Sequence, residues 1–139
     1  MKIKKDDSFR KLSIFERHGW TPDKKLDTAE LEAEYSKRGF SFNPSAKRFF
    51  ETIPCGTYKP WKESAGSDPP YIGIHEHFRI KDPYELRNKI GEDLLNIGGT
   101  RNSFFYISES GMFYAETDVC EPFAVTDDIY LFMQWVLSR

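Results

Sequence analysis

The order of elements along this 139-residue chain predicts an α+β fold. Three observations carry that prediction. The first fifty residues read as helices, most of the stretch from Tyr71 to Val125 reads as strands, and a helix closes the chain. Only one helical stretch interrupts the strands, so the regular alternation that builds a doubly wound parallel sheet is missing. The length is that of one domain, and residues 1–139 are read as a single unit with no internal repeat and no low-complexity tract.

The first helix is expected at about residues 6–18, where Phe9, Leu12 and Phe15 share a face and Gly19 stops it. Trp20 leads into the turn Thr21-Pro22-Asp23. A second helix fits 28–38, with Asp27 and Glu30 as a capping box, Leu31 and Tyr35 one turn apart, and Gly39 as its stop. Phe40-Ser41-Phe42 reads as a short connector strand. Asn43-Pro44 opens a third helix as cap and first-turn proline, and Ala46, Phe49, Phe50 and Ile53 make its apolar face.

Residues 54–70 are punctuated by Pro54, Gly56, Pro60, Gly66, Pro69 and Pro70, and read in part as a surface loop with Trp61 exposed and a strand near Thr57-Tyr58-Lys59. From Tyr71 to Ile80 the alternation of Ile72, Ile74, Phe78 and Ile80 predicts one half-buried strand, with Tyr71, His75 and His77 on its polar face. Asp82-Pro83-Tyr84-Glu85 is read as a capping box. The helix it opens has Leu86, Ile90 and Leu94 as its stripe, and Asn96-Ile97-Gly98-Gly99 is expected to end it. Phe104–Ser108 and Met112–Glu116 flank Glu109-Ser110-Gly111 as a hairpin. A further strand is expected within Val119–Val125, and Ile129, Phe132, Met133, Val136 and Leu137 fit a closing amphipathic helix.

Twenty Lys and Arg against twenty-two Asp and Glu give a formal net charge of −2, which argues against a generic nucleic-acid binder. The charge is uneven. Residues 1–50 carry twelve cations and eight acids, 51–100 six and eight, and 101–139 two and six. Such an arrangement steers charged partners, and it makes the C-terminal part an acidic, aromatic candidate surface. No apolar run is long enough for a membrane helix, and the basic start Met1–Lys5 leads into no apolar signal core. The two cysteines, Cys55 and Cys120, are too few for a disulfide framework and are expected to be buried thiols in a reducing cytoplasm.

Candidate chemistry is sparse. Ser110-Gly111 sits in a hairpin turn, not in the strand-to-helix elbow of a serine hydrolase. Gly98-Gly99 follows a helical stretch, so its amides are not expected to cradle a phosphate. His75-Glu76-His77 is the best metal candidate, because residues i and i+2 share a strand face. Two imidazoles still need a third ligand, from His18 or a carboxylate, so no metal site is assigned. The acid pairs Asp127-Asp128 and Glu92-Asp93 are weaker still; the first suits the start of a helix. The residues considered alone therefore predict a domain with no catalytic set and no cofactor.

One wider pattern stands out. His18-Gly19-Trp20 follows an amphipathic helix, a helix ending at Gly39 comes next, and then the Phe49-Phe50 helix with Gly56. Glu85–Leu95 runs into Ile97-Gly98, and the hairpin Phe105-Tyr106-Ile107-Ser108-Glu109-Ser110-Gly111-Met112-Phe113-Tyr114 follows. This order resembles the SUKH superfamily, in particular its third bacterial subfamily of immunity proteins, over about residues 9–137. The chain departs from the family pattern at Asp23-Lys24, where Gly-Arg is usual, and at Ser108, where the hairpin usually carries an acid. The resemblance implies a central, mostly antiparallel sheet with helices packed around it. It also implies a cytoplasmic, non-enzymatic protein that binds and neutralises a cognate toxin in competition between bacteria.

On that basis Gly19, Trp20, Gly98 and Gly111 are expected to be structural, and recognition is expected at Trp61, Tyr71, Tyr114, Glu116, Asp118 and Glu121. The expected partner is a protein toxin domain rather than a nucleic acid or membrane, with a monomer favoured. Two alternatives stand beside it. One is an intracellular scaffold or regulator on the same fold. The other is a small metal-dependent enzyme using His75 and His77.

Overall fold

The computed structural model describes residues 25–58 and 69–138. The helix expected at about 6–18, Gly19, Trp20 and Trp61 lie outside them. The described residues form an α+β fold whose six strands make one antiparallel sheet.

Among the described residues two helices come first, α1 (Ala29–Lys37) and α2 (Pro44–Thr52), followed by strands β1 (Gly56–Thr57) and β2 (Tyr71–Ile72). Helix α3 (Tyr84–Ile90) leads into β3 (Leu94–Thr100), β4 (Ser103–Ser108), β5 (Phe113–Thr117) and β6 (Phe123–Thr126), and α4 (Ile129–Ser138) closes the chain. The strands lie in the sheet in chain order, β1 to β6.

Local sequence accounts for most of these boundaries. The Asn43 side chain accepts from the Ala46 amide at 2.7 Å, Pro44 fills the first turn, and Ala46, Phe49, Phe50 and Ile53 are all buried. Asp128 caps α4 by accepting from the Leu131 amide at 2.9 Å. The two expected capping boxes do not form. Asp27 accepts from the nearby Ala29 amide, and Asp82 instead takes Arg87 Nη1 at 3.0 Å. Phe40–Phe42 is not a strand, and Phe42 stacks on Phe50 with centroids 5.2 Å apart.

Two expectations between residues 71 and 100 are overturned. Strand pairing stops after Ile72, because Gly73 turns the chain with φ 93° and residues 73–83 continue as turns and irregular backbone. Helix α3 stops at Ile90, because Gly91 takes the left-handed conformation with φ 73° and donates its amide to Arg87 O. Leu94 to Thr100 is thus a central strand, and Gly98 lies inside it rather than at a helix end.

Gly98 matters there for its missing side chain. A Cβ on it would collide with the backbone carbonyl oxygen of Tyr71 on the neighbouring strand, and would sit 3.1 Å from Ile72 Cα. Next to it the register shifts between Asn96 and Gly98. Gly111 sits in the β4–β5 turn at φ 93°.

The sheet has two unlike faces. Leu95, Ile97, Phe105, Ile107, Phe113 and Ala115 point to the main core, where they meet Tyr35, Phe49, Phe50, Phe132, Met133 and Val136 of the helices. Phe113 and Phe132 stack there with centroids 4.2 Å apart. On the other face Leu94 and Tyr106 meet Leu86 of α3, and Ile90, Phe104 and Tyr114 pack around them. That smaller cluster covers only part of the sheet and leaves the rest of the outer face for a site.

Candidate recognition site on the outer sheet face

The outer face is built on side-chain alternation. Phe104 and Tyr106 on β4 lie opposite Glu116 and Tyr114 on β5, so aromatic rings and one carboxylate share a surface. Glu116 is the hinge of the arrangement. Its Oε1 accepts from Lys81 Nζ at 2.7 Å and from the Tyr106 hydroxyl at 2.7 Å. Burial, reinforced by the hydrogen bond to Glu116, pushes the Tyr106 phenol far above its ordinary range, so it stays a donor.

Lys81 is held at both ends. Its amide donates to Asn96 Oδ1 at 3.2 Å, and its ammonium lies 4.9 Å from the centre of the Phe104 ring. Two depressions flank it. The first is a cleft of about 430 Å³ whose walls include Asp82, Pro83, Tyr84, Glu85, Leu86, Lys89, Glu121 and Pro122, with Lys81, Tyr106 and Glu116. The second, of about 340 Å³, is lined by His77, Phe78, Arg79, Ile80, Lys81, Thr100, Arg101 and Phe104.

The larger cleft combines three properties of a protein-recognition site. Its walls carry four carboxylates and two lysines. Its apolar surface comes from two prolines, two tyrosines and Leu86, mostly rigid groups. Large apolar side chains also meet water on its wall and in the adjoining turn. Tyr84 is 61% exposed on its wall, and Val119 is 91% exposed in the turn that carries Glu121. The third exposed large apolar residue, Phe123, turns instead towards Trp135, with centroids 6.0 Å apart.

The residues expected to bind a partner divide accordingly. Glu116 and Glu121 line the larger cleft. Tyr114 is half-buried beside the small cluster, and Asp118 is exposed in the β5–β6 turn, its amide bonded to Asn102 O. Tyr71 is a correction. It does lie on the outer side of β2, but Phe78 stacks on it at 5.5 Å and His75 at 5.0 Å, leaving it 4% exposed. The irregular segment after Gly73 folds back over the ring, which the expected straight strand would not have done.

His75 and His77 have ring centroids 5.5 Å apart, in a turn rather than on a strand. His77 Nε2 is 3.3 Å from Glu76 Oε1, and the His77 amide donates to His75 Nδ1. Among the described residues no group of three or more His, Cys, Asp or Glu side chains is placed to hold a metal.

The cysteines are also corrected, since both residues are exposed. Cys55 nonetheless turns its sulfur inwards: Sγ would lie 2.8 Å from a Cβ on Gly73. Burial of that sulfur pushes the thiol up to about 11. The exposed part of the residue is therefore not its reactive atom.

Sequence reasoning missed Tyr84, Glu85 and Lys81. For Tyr84 and Glu85 the available signal was Pro83, which stands at the start of α3 and leaves the next two residues in its first turn.

Comparison with known proteins gives no further guide: no family model, no curated protein and no solved structure matches the chain. No helix among the described residues is long and apolar enough to cross a membrane.

Proposed function

We propose that this chain is an immunity protein of the SUKH type, which docks a cognate protein toxin in the bacterial cytoplasm through the cleft between α3 and the β5–β6 turn. The observation that carries the reading is Tyr84, 61% exposed on the wall of a cleft lined by Glu85, Glu116 and Glu121. A rigid aromatic ring held out over a polar pocket is the form of an interface anchor. The resemblance to the SUKH superfamily implies a toxin as the partner, and the acidic C-terminal part would speed the approach of a basic one.

The test is co-expression with the toxin encoded beside the gene. Growth should be restored and the two proteins should co-purify. Substituting Tyr84→Asp should weaken the complex by at least about tenfold, the effect of losing an interface anchor. A stable complex that ignores Tyr84→Asp would move the interface elsewhere, and no complex with the neighbouring toxin would remove the immunity assignment.

A further inference from the structure

We infer that the α3 cleft accepts an arginine side chain of the partner, an inference that rests on this cleft being the docking surface. The charges in and around it do not cancel. Asp82 is paired with Arg87, and Glu116 with Lys81. Glu85 and Glu121 make no ion pair among the described residues, and Lys89 is the one lysine of the walls in the same state. The net free charge of the walls is therefore negative.

The remaining walls select among cations. Pro83, Leu86 and Pro122 give apolar surface that suits an aliphatic stem rather than a hydrated metal ion. Tyr84 offers an exposed ring face, on which a planar guanidinium stacks while its N–H groups reach carboxylates. A lysine ammonium offers neither the plane nor the paired donors. Lys81 does not already fill the role, because its ammonium is spent on Glu116 and Phe104.

The experiment is an NMR titration of the full chain with three capped tripeptides of the form Gly-X-Gly, where X is arginine, lysine or citrulline. Citrulline keeps the shape of arginine and removes its charge. At low salt the arginine peptide should give saturable shifts of the amides of Tyr84, Glu85, Leu86 and Glu121, with a millimolar Kd. The citrulline peptide should bind at least about fivefold more weakly, and Glu121→Gln with Glu85→Gln should reduce the arginine affinity by a similar factor. Equal responses to arginine and citrulline, or no saturable shifts at these residues, would overturn the inference.

The two readings fail differently. If a toxin complex is lost with Tyr84→Asp but keeps its affinity when Glu85 and Glu121 are made glutamine, the docking surface stands and the arginine does not. If the complex ignores all three substitutions, the docking surface itself is wrong.

Discussion

The hydroxyl of Tyr35 donates to the backbone carbonyl of Asn96 at 2.7 Å, joining residues 61 positions apart in the chain. Tyr35 comes from α1 and is fully buried; Asn96 stands at the register shift of β3. The bond thus ties the helical N-terminal part to the one irregularity of the central strand. Tyr35→Phe leaves that carbonyl without its hydroxyl donor in the core, and should cost about 1–3 kcal/mol in urea unfolding. A cost near zero would mean that water reaches the carbonyl.

The Asn96 side chain does more than its backbone. Its Nδ2 donates to Gly98 O at 2.9 Å and Phe105 O at 2.8 Å, and its Oδ1 accepts from the Lys81 amide. Asn96→Ala strips all three partners at once and should destabilise by about 2–4 kcal/mol. Because Lys81 lines the cleft, the same variant should shift the NMR signals of Lys81 and Glu116. Unchanged signals there would show that the bond does not position the site.

Gly98→Ala probes close packing between strands. The added methyl meets backbone atoms of Tyr71 and Ile72, which have no flexible end to move aside. The variant should lose more than about 3 kcal/mol or fail to fold. Gly91→Ala is the matching control, since a Cβ there touches nothing and only the left-handed backbone resists. It should cost about 1–2 kcal/mol.

Alkaline pH should destabilise the fold. The Cys55 thiol is raised from 9.0 to about 11, so the folded chain holds this proton more tightly than the unfolded one. Its stabilising contribution is complete below the unfolded value and is lost as pH rises through the folded one. Burial raises the phenols of Tyr35, Tyr58, Tyr71 and Tyr106 in the same sense, so the loss should steepen above the ordinary tyrosine range. The urea midpoint should fall between about pH 8 and about pH 10.5. A flat midpoint across that interval would contradict the buried environments.

Tyr84 should separate binding from folding. Its ring is exposed, so Tyr84→Ala should change stability by less than about 0.5 kcal/mol, the usual range for a surface site. The same substitution should weaken partner capture. A large loss of stability would show instead that the ring is part of the packing of α3.

Where local rules decided the structure, the sequence was readable. Asn43-Pro44 and the spacing of Ala46, Phe49, Phe50 and Ile53 mark α2, and the closing helix and the β4–β5 hairpin are equally plain. It misled where two signals overlapped. Leu86, Ile90 and Leu94 keep helical spacing across Gly91, yet the left-handed glycine ends the helix and Leu94 begins a strand. That strand is buried on both faces, so it lacks the alternation that would have marked it. The site was half legible for a related reason. Glu116 and Glu121 belong to a visibly acidic segment, but Lys81 lies 35 positions from Glu116, and only the folded sheet brings them together.

The strand order also bears on how the chain reaches this fold. Each strand pairs with the one before it, and no pairing skips a strand. From β3 to β6 the loops to be closed are short, so the hairpins can zip in succession at little cost in chain entropy. The expensive closures are those that bring α1 and α2 onto the finished sheet, Tyr35 to Asn96 and Asn43 to Ile107 among them. Helices that precede the sheet in the chain would then be the last to find their places.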